Sequence, residues 1–320
     1  MKNLRKLLAS LSIVLLSVIV FTSCKKDDPV VTPPKDITDV AISDAQFSTL
    51  VAALTKANLV TTLKGTGPFT VFAPNNAAFT KAGITSLDNQ TAASLTPILT
   101  THVLSGTVKA ADVKSGTAKT VNTANDIYLS KNTDGVFING NIKVIATDVS
   151  ASNGVVHVID NVIIPPTASI VGIATSVANK ATFTELVELV TAAGLAATLD
   201  GASASGFTVF APTNAAFTEL YKTVPKATLL LPANKALLTR VLLYHVVPNR
   251  VFSTDLPNVG ATEVGTVGAG TNAGDKLTFD LAGGAKVKGI GSGNSNIVLA
   301  NLLATNGVVH VIDKVLLPKL

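Results

Sequence analysis

The octet NGVVHVID occupies residues 153–160 and recurs letter for letter at 306–313. It places His157 three residues before Asp160, and His310 repeats the position. A histidine near a carboxylate can ligate a metal or exchange protons, and imidazole is the side chain that titrates nearest neutrality. The other two histidines, His102 and His245, stand in the middle of each half of the chain. On a strand, however, side chains alternate faces, so residues three apart point opposite ways. Val155, His157 and Ile159 share one face; Val156, Val158 and Asp160 share the other. A strand that is apolar on both sides is a buried one. The spacing therefore predicts a buried imidazole bonded to backbone or to a polar side chain, because an unpaired one would be costly. A metal or ligand role, with His102 or His245 converging from the neighbouring segment, is the alternative.

Other chemistry finds little support. The chain has no G-x-S-x-G elbow, no C-x-x-C, no H-E-x-x-H and no P-loop. The glycine-rich stretches VGAGTNAG (267–274) and GIGSGNSN (289–296) do not sit between a strand and a helix, as a phosphate cradle requires. Nothing in the spacing implies a metal centre or a cofactor. Tryptophan is absent and aromatic residues make up only 5% of the chain, which weakens a dedicated sugar-stacking site.

The single cysteine, Cys24, excludes an intramolecular disulfide. It follows a positive n-region (Lys2, Arg5, Lys6) and an apolar run over 7–21 that is short for a membrane span. The stretch FTSC resembles a bacterial lipobox, which would make Cys24 the lipidated first residue of the mature chain. The KKDD that follows resembles the tag that directs some bacterial lipoproteins to the cell surface. Residues 1–23 then read as a lipoprotein signal peptide and 24–36, charged and proline-rich, as a flexible tether. The expected location is the cell envelope, as an outer membrane lipoprotein facing the cell surface, with the periplasmic face as the other possibility. Losing 1–23 lowers the net charge from +5 to +2. No basic cluster with interleaved aromatics remains, so no nucleic acid is expected as partner.

Beyond the tether the chain repeats itself. FTVFAPNNAAF at 69–79 returns as FTVFAPTNAAF at 207–217, and the offset grows through the histidines to the octets. That is a duplicated domain with insertions, one of them expected as a lengthened glycine-rich loop at 264–276. Ser43 and Gln46 have capping-box spacing, followed by an apolar stripe at Phe47, Leu50, Val51 and Leu54. Phe183, Leu186, Val187 and Val190 repeat the stripe, and glycines near 65–67 and 201 are expected to end both helices. FTVF reads as a strand stopped at AP, and Asn76 and Asn214 read as N-caps of the next helix. The segments 95–104 and 234–247 run from helix into strand. The last third of each copy is β-rich, so each copy is α+β.

The TVFAP-x-NAAF box, the mid-domain histidine and the closing NGVVHVID box resemble the fasciclin-type domain, called FAS1, and both copies carry all three in order. The resemblance implies two tandem FAS1 domains, 37–166 and 167–320, each a twisted β-sandwich or wedge flanked by short helices. It implies a non-enzymatic role in extracellular adhesion, with an extracellular protein or polysaccharide as partner and the membrane reached through the lipid. In animal members a Tyr-His pair in the middle segment is linked to receptor contact. That position falls on Tyr244 and His245 here, and on Thr101 and His102 in the first copy, so Tyr244, His245 and His102 are the candidate binding residues; core packing at a strand start is the other reading of Tyr244 and His245. The alternative reading is small-molecule or glycan capture in a pocket between the repeats.

Overall fold

Among the described residues, runs of β-branched residues broken by Asn and Gly build seven strands in each copy. The computed structural model describes residues 33–201, 203, 205–256, 263–270, 275–281 and 283–319; Cys24 and the signal segment lie outside them. The first copy carries β1 (Phe69–Pro74), β2 (Val103–Ser105), β3 (Gly116–Ala118), β4 (Ile127–Asn132), β5 (Gly135–Ile138), β6 (Ile142–Ala151) and β7 (Gly154–Ile159). The second carries β8 (Phe207–Pro212), β9 (Val246–Val247), β10 (Val264–Gly265), β11 (Lys276–Asp280), β12 (Lys286–Gly289), β13 (Gly293–Ala304) and β14 (Gly307–Ile312). Helices α1 (Ile37–Ile42), α2 (Ser48–Lys56), α3 (Val60–Leu63), α4 (Asn76–Lys81) and α5 (Ala92–Thr101) flank the first sheet. The second sheet is flanked by α6 (Ile170–Thr175), α7 (Val177–Ala193), α8 (Ala196–Asp200), α9 (Asn214–Tyr221), α10 (Lys226–Leu229) and α11 (Lys235–Tyr244).

The sheets have one topology, β2-β1-β7-β6-β5-β4-β3 and β10-β11-β12-β13-β14-β8-β9, read from opposite ends. The TVFAP strands lie parallel to the octet strands, with Phe72 opposite His157 and Phe210 opposite His310. The remaining ladders are antiparallel. The register of β6 against β7 slips twice before Val149, and β13 against β14 slips twice before Leu302. Such bulges bend a strand and raise its twist. The sheet therefore curls until Phe72 and Ile159 share a core with Ile127, Leu129 and Ile138 from its far half. Val71, Ala73, Val156 and Val158 face the other way, onto the helices. This is the expected α+β wedge.

Local details differ from the sequence reading. Ser43 closes α1 as its C-cap, and Asp44, not Ser43, accepts from the Gln46 N–H. The helix α1 ahead of it is an extra element, started by a capping box between Asp36 and Asp39. The long first helix is two helices, α2 and α3, and its counterpart ends at left-handed Gly194 before α8 begins. Neither TVFAP strand stops before its proline. The β2 ladder ends at Val71, so on that side Pro74 need donate no N–H, and it stays in register with Ile159. The glycine-rich 264–276 begins as β10 and continues into a 3-10 turn at Val267–Gly270; residues 271–274 lie outside the described residues.

Candidate functional site

All four histidines are buried, and each spends both ring nitrogens on main chain. His102 caps the C-terminus of α5, where Nδ1–H donates to Ile98 O at 2.8 Å and Nε2 accepts from Ile163 N–H at 2.9 Å. His245 does the same with Val241 O and Leu316 N–H, both at 2.8 Å. Each thereby ties a helix end to the last extended segment of its domain. His157 donates from Nε2 to Val108 O at 2.8 Å and accepts at Nδ1 from Asp148 N–H at 3.2 Å. His310 repeats this with Val251 O at 2.9 Å and Asn301 N–H at 3.2 Å. Accepting at one nitrogen fixes a neutral tautomer with the proton on the other. Burial pushes His102, His245 and His310 down to about 4. No lone pair is left for a metal or a substrate proton. Among the described residues no group of three or more His, Cys, Asp and Glu could hold a metal ion.

The candidate binding residues His102, Tyr244 and His245 are thus core residues. Tyr244 is fully buried in the second wedge; its hydroxyl donates to Lys276 O at 2.6 Å and accepts from Ile290 N–H at 3.0 Å. An aromatic ring at this point fills the wedge, so a receptor cannot touch it without unfolding β11 and β12. Asp160 lies past the end of β7, on the surface, paired with Lys81 at 2.7 Å and far in chemistry from His157. Asn76 and Asn214 cap helices other than their own. Asn75 and Thr213 are the N-caps of α4 and α9. Asn76 Oδ1 accepts from Thr49 N–H in the first turn of α2 at 3.0 Å, and Nδ2 donates to Ala45 O. Asn214 accepts from Glu185 N–H at 3.0 Å, just after the non-helical Phe183 that kinks α7.

The groups the sequence did not single out are Asp148 and Asn301, whose N–H bonds hold His157 and His310. They occupy equivalent bulge positions, with φ of 60° and 62°. Non-glycine residues in the left-handed region are uncommon and cluster where a strand must re-aim a side chain. In the second repeat the bulge is sealed into the joint between repeats. Asn301 is buried; its Oδ1 accepts from Ser253 N–H at 2.8 Å and its Nδ2 donates to Gly140 O and Asn141 Oδ1 of the first repeat at 3.1 and 2.7 Å. Phe252 packs on Tyr128 with ring centroids 5.1 Å apart, and Thr254 Oγ1 donates to Ser130 Oγ at 3.0 Å. Asp255 lies in the same joint, and burial pushes its carboxyl up.

In the first repeat the matching face is open. Lys109 stands where Phe252 stands in the second repeat, Ala110 where Ser253 stands, and Asp148 where Asn301 stands. Asp148 Oδ1 accepts from Ala110 N–H at 3.0 Å. Around it lies a cleft of about 490 Å³ lined by Thr66, Thr107, Lys109, Asp148, Ser150 and Ser152 among others. Among the described residues, those four hydroxyls and the Lys109 ammonium make no hydrogen bond or ion pair. The cleft offers hydroxyls, an ammonium and a carboxylate beside the bulge.

Two copies of a mixed seven-stranded wedge, each clasped by a backbone-bonded histidine pair, define a tandem α+β module. A family model described as "Fasciclin domain" matches residues 45–165 and 181–318, and the chain belongs to that family. Protein sll1483 of Synechocystis sp. is 43% identical over 134 residues, covering 41% of this chain and 73% of that protein. The "Transforming growth factor-beta-induced protein ig-h3" of Oryctolagus cuniculus is 29% identical over 260 residues, covering 80% of this chain and 35% of that protein. Among solved structures, a FAS1 domain pair from the insect cell adhesion molecule fasciclin I matches with a TM-score of 0.42 and 20% identity, covering 88% of this chain and 95% of that one.

Proposed function

We propose that the chain is a non-enzymatic binding protein of the cell envelope, held to the outer membrane through lipidated Cys24 and facing the cell surface. Its partner is an extracellular protein or polysaccharide that docks at the polar cleft of the first repeat. The observation that carries this reading is the pairing of the two bulge faces. In the second repeat this face already binds protein, namely the first repeat; in the first repeat the same face is open and lined with unused polar groups. Lys109 and Asp148 give it charge where Phe252 and Asn301 give the joint an apolar ring and an amide. Capture of a glycan is the second reading, favoured by the four free hydroxyls and disfavoured by the lack of an aromatic platform.

The test is a pull-down of surface proteins and glycans with the purified chain and with a Lys109→Ala/Asp148→Ala variant. The expected result is at least about tenfold weaker capture, the effect of removing two charged contacts, with an unchanged far-UV spectrum. Equal capture by both proteins would place the binding face elsewhere.

A further inference from the structure

Each repeat holds a cavity at the same place, between its first helices and the helical face of its sheet. In the first repeat it measures about 20 Å³ and is lined by Ile37, Leu54, Leu63 and Val71 among others. In the second it measures about 100 Å³ and is lined by the counterparts Ile170, Val190, Leu199 and Val209, again among others. The two sequences account for the difference. Val190 stands at the position of Leu54, one carbon smaller, and Ala196 at that of Val60, two carbons smaller. The wall is looser as well: α1 buries Ile37, Thr38 and Ala41, whereas α6 buries only Ile170. Close packing is the rule in protein interiors, and apolar side chains that face an unfilled space forgo those contacts until something fills it.

The lining sets the chemistry of the occupant. Among the described residues its only polar side chains are Thr175 and Thr191, and both hydroxyls donate to carbonyls of their own helices, Val171 O at 2.9 Å and Val187 O at 2.7 Å. No charged group among the described residues lines the space. A cavity of about 150 Å³ admits benzene, so this smaller one suits a few methylenes of an unbranched chain better than a ring. We propose that the second repeat binds the methyl end of a linear acyl chain in this cavity, with the polar head outside. The site is independent of the polar cleft, which lies on the other repeat.

Methyl-labelled protein titrated with decanoate, and separately with phosphatidylglycerol vesicles, tests this. Decanoate reports a free fatty acid and the vesicles a bilayer acyl chain. Saturable shifts at Val187, Val190 and Leu199, with Val51, Leu54 and Leu63 of the first repeat unmoved, support the assignment from either source. A Val190→Leu/Ala196→Val variant, which copies the first repeat, is expected to weaken decanoate binding at least tenfold and to raise Tm. Ala196→Val alone is the milder check, with a smaller loss of affinity. No saturable shift with either probe, shifts of equal size in both repeats, or undiminished binding by the filled variants overturns the proposal.

Discussion

An imidazole that donates from one nitrogen and accepts at the other cannot take a second proton without losing a bond. For His102, His245 and His310 the folded value near 4 lies below the ordinary 6.5, because burial disfavours the cation. As pH falls through 6.5 the unfolded chain binds protons that the folded chain refuses. Stability is therefore intact above that value and is lost progressively toward pH 4, by as much as about 3 kcal/mol per histidine. Asp255, whose carboxyl is pushed up by burial, has the opposite sign: its contribution is present at acid pH and is lost as pH rises through its raised value. Three histidines outweigh one carboxyl, so Tm is expected to drop between pH 7 and pH 5, and a flat profile would contradict the buried-neutral assignment. His310→Ala leaves the Asn301 N–H and the Val251 carbonyl without their partner. It should cost about 2–4 kcal/mol in denaturant melts. Burial of His157 followed from strand alternation in the octet. The partners did not, because Asp148 and Val108 meet His157 through a bulge and a loop that no periodicity announces.

At the scale of elements, the boxes in the sequence mark strands correctly, since β-branched runs bounded by Asn, Gly and Pro leave few alternatives, but the parallel pairing of the TVFAP strand with the octet strand was not legible. Caps are less legible. Asn75 and Asn76 are chemically identical, and only the docking of α2 against α4 decides which one caps its own helix and which one caps a neighbour. Tyr244 was equally ambiguous, because a Tyr at a helix-to-strand junction suits a surface or a wedge core. The joint between repeats was not visible in sequence at all, although one glycine carries much of it. Gly140 has φ +71°, and an added Cβ there would lie 2.7 Å from both Asn301 Nδ2 and Phe252 Cβ. Gly140→Ala is expected to pry the repeats apart at a cost of about 1–3 kcal/mol, the usual range for overpacking. Small-angle scattering should then record a larger radius of gyration while far-UV circular dichroism stays the same. An unchanged radius would mean that the Asn301 and Phe252 contacts are not what fixes the pair.

For the whole molecule, duplication has given two copies of one face with different uses. The second repeat's face meets the first repeat, and the first repeat's face, with Lys109 and Asp148 in place of Phe252 and Asn301, remains in solvent. A head-to-tail joint would otherwise invite a further copy, and open chains of copies are what such contacts build. Charge and the loss of the aromatic ring make the exposed face a poor mimic of the joint. The proposed attachment to the membrane is a lipid on Cys24. Cys24→Ala tests that arrangement without touching the wedges. The variant is expected to move from the membrane fraction to the soluble fraction with Tm unchanged, since a two- or three-chain lipid contributes about 0.8 kcal/mol per buried CH₂ and nothing else in the proposal holds the protein there. Among the described residues no helix is long and apolar enough to cross a membrane. Retention of Cys24→Ala in the membrane fraction after a high-salt wash would therefore refute the lipid anchor and point to a second membrane contact on the folded repeats themselves.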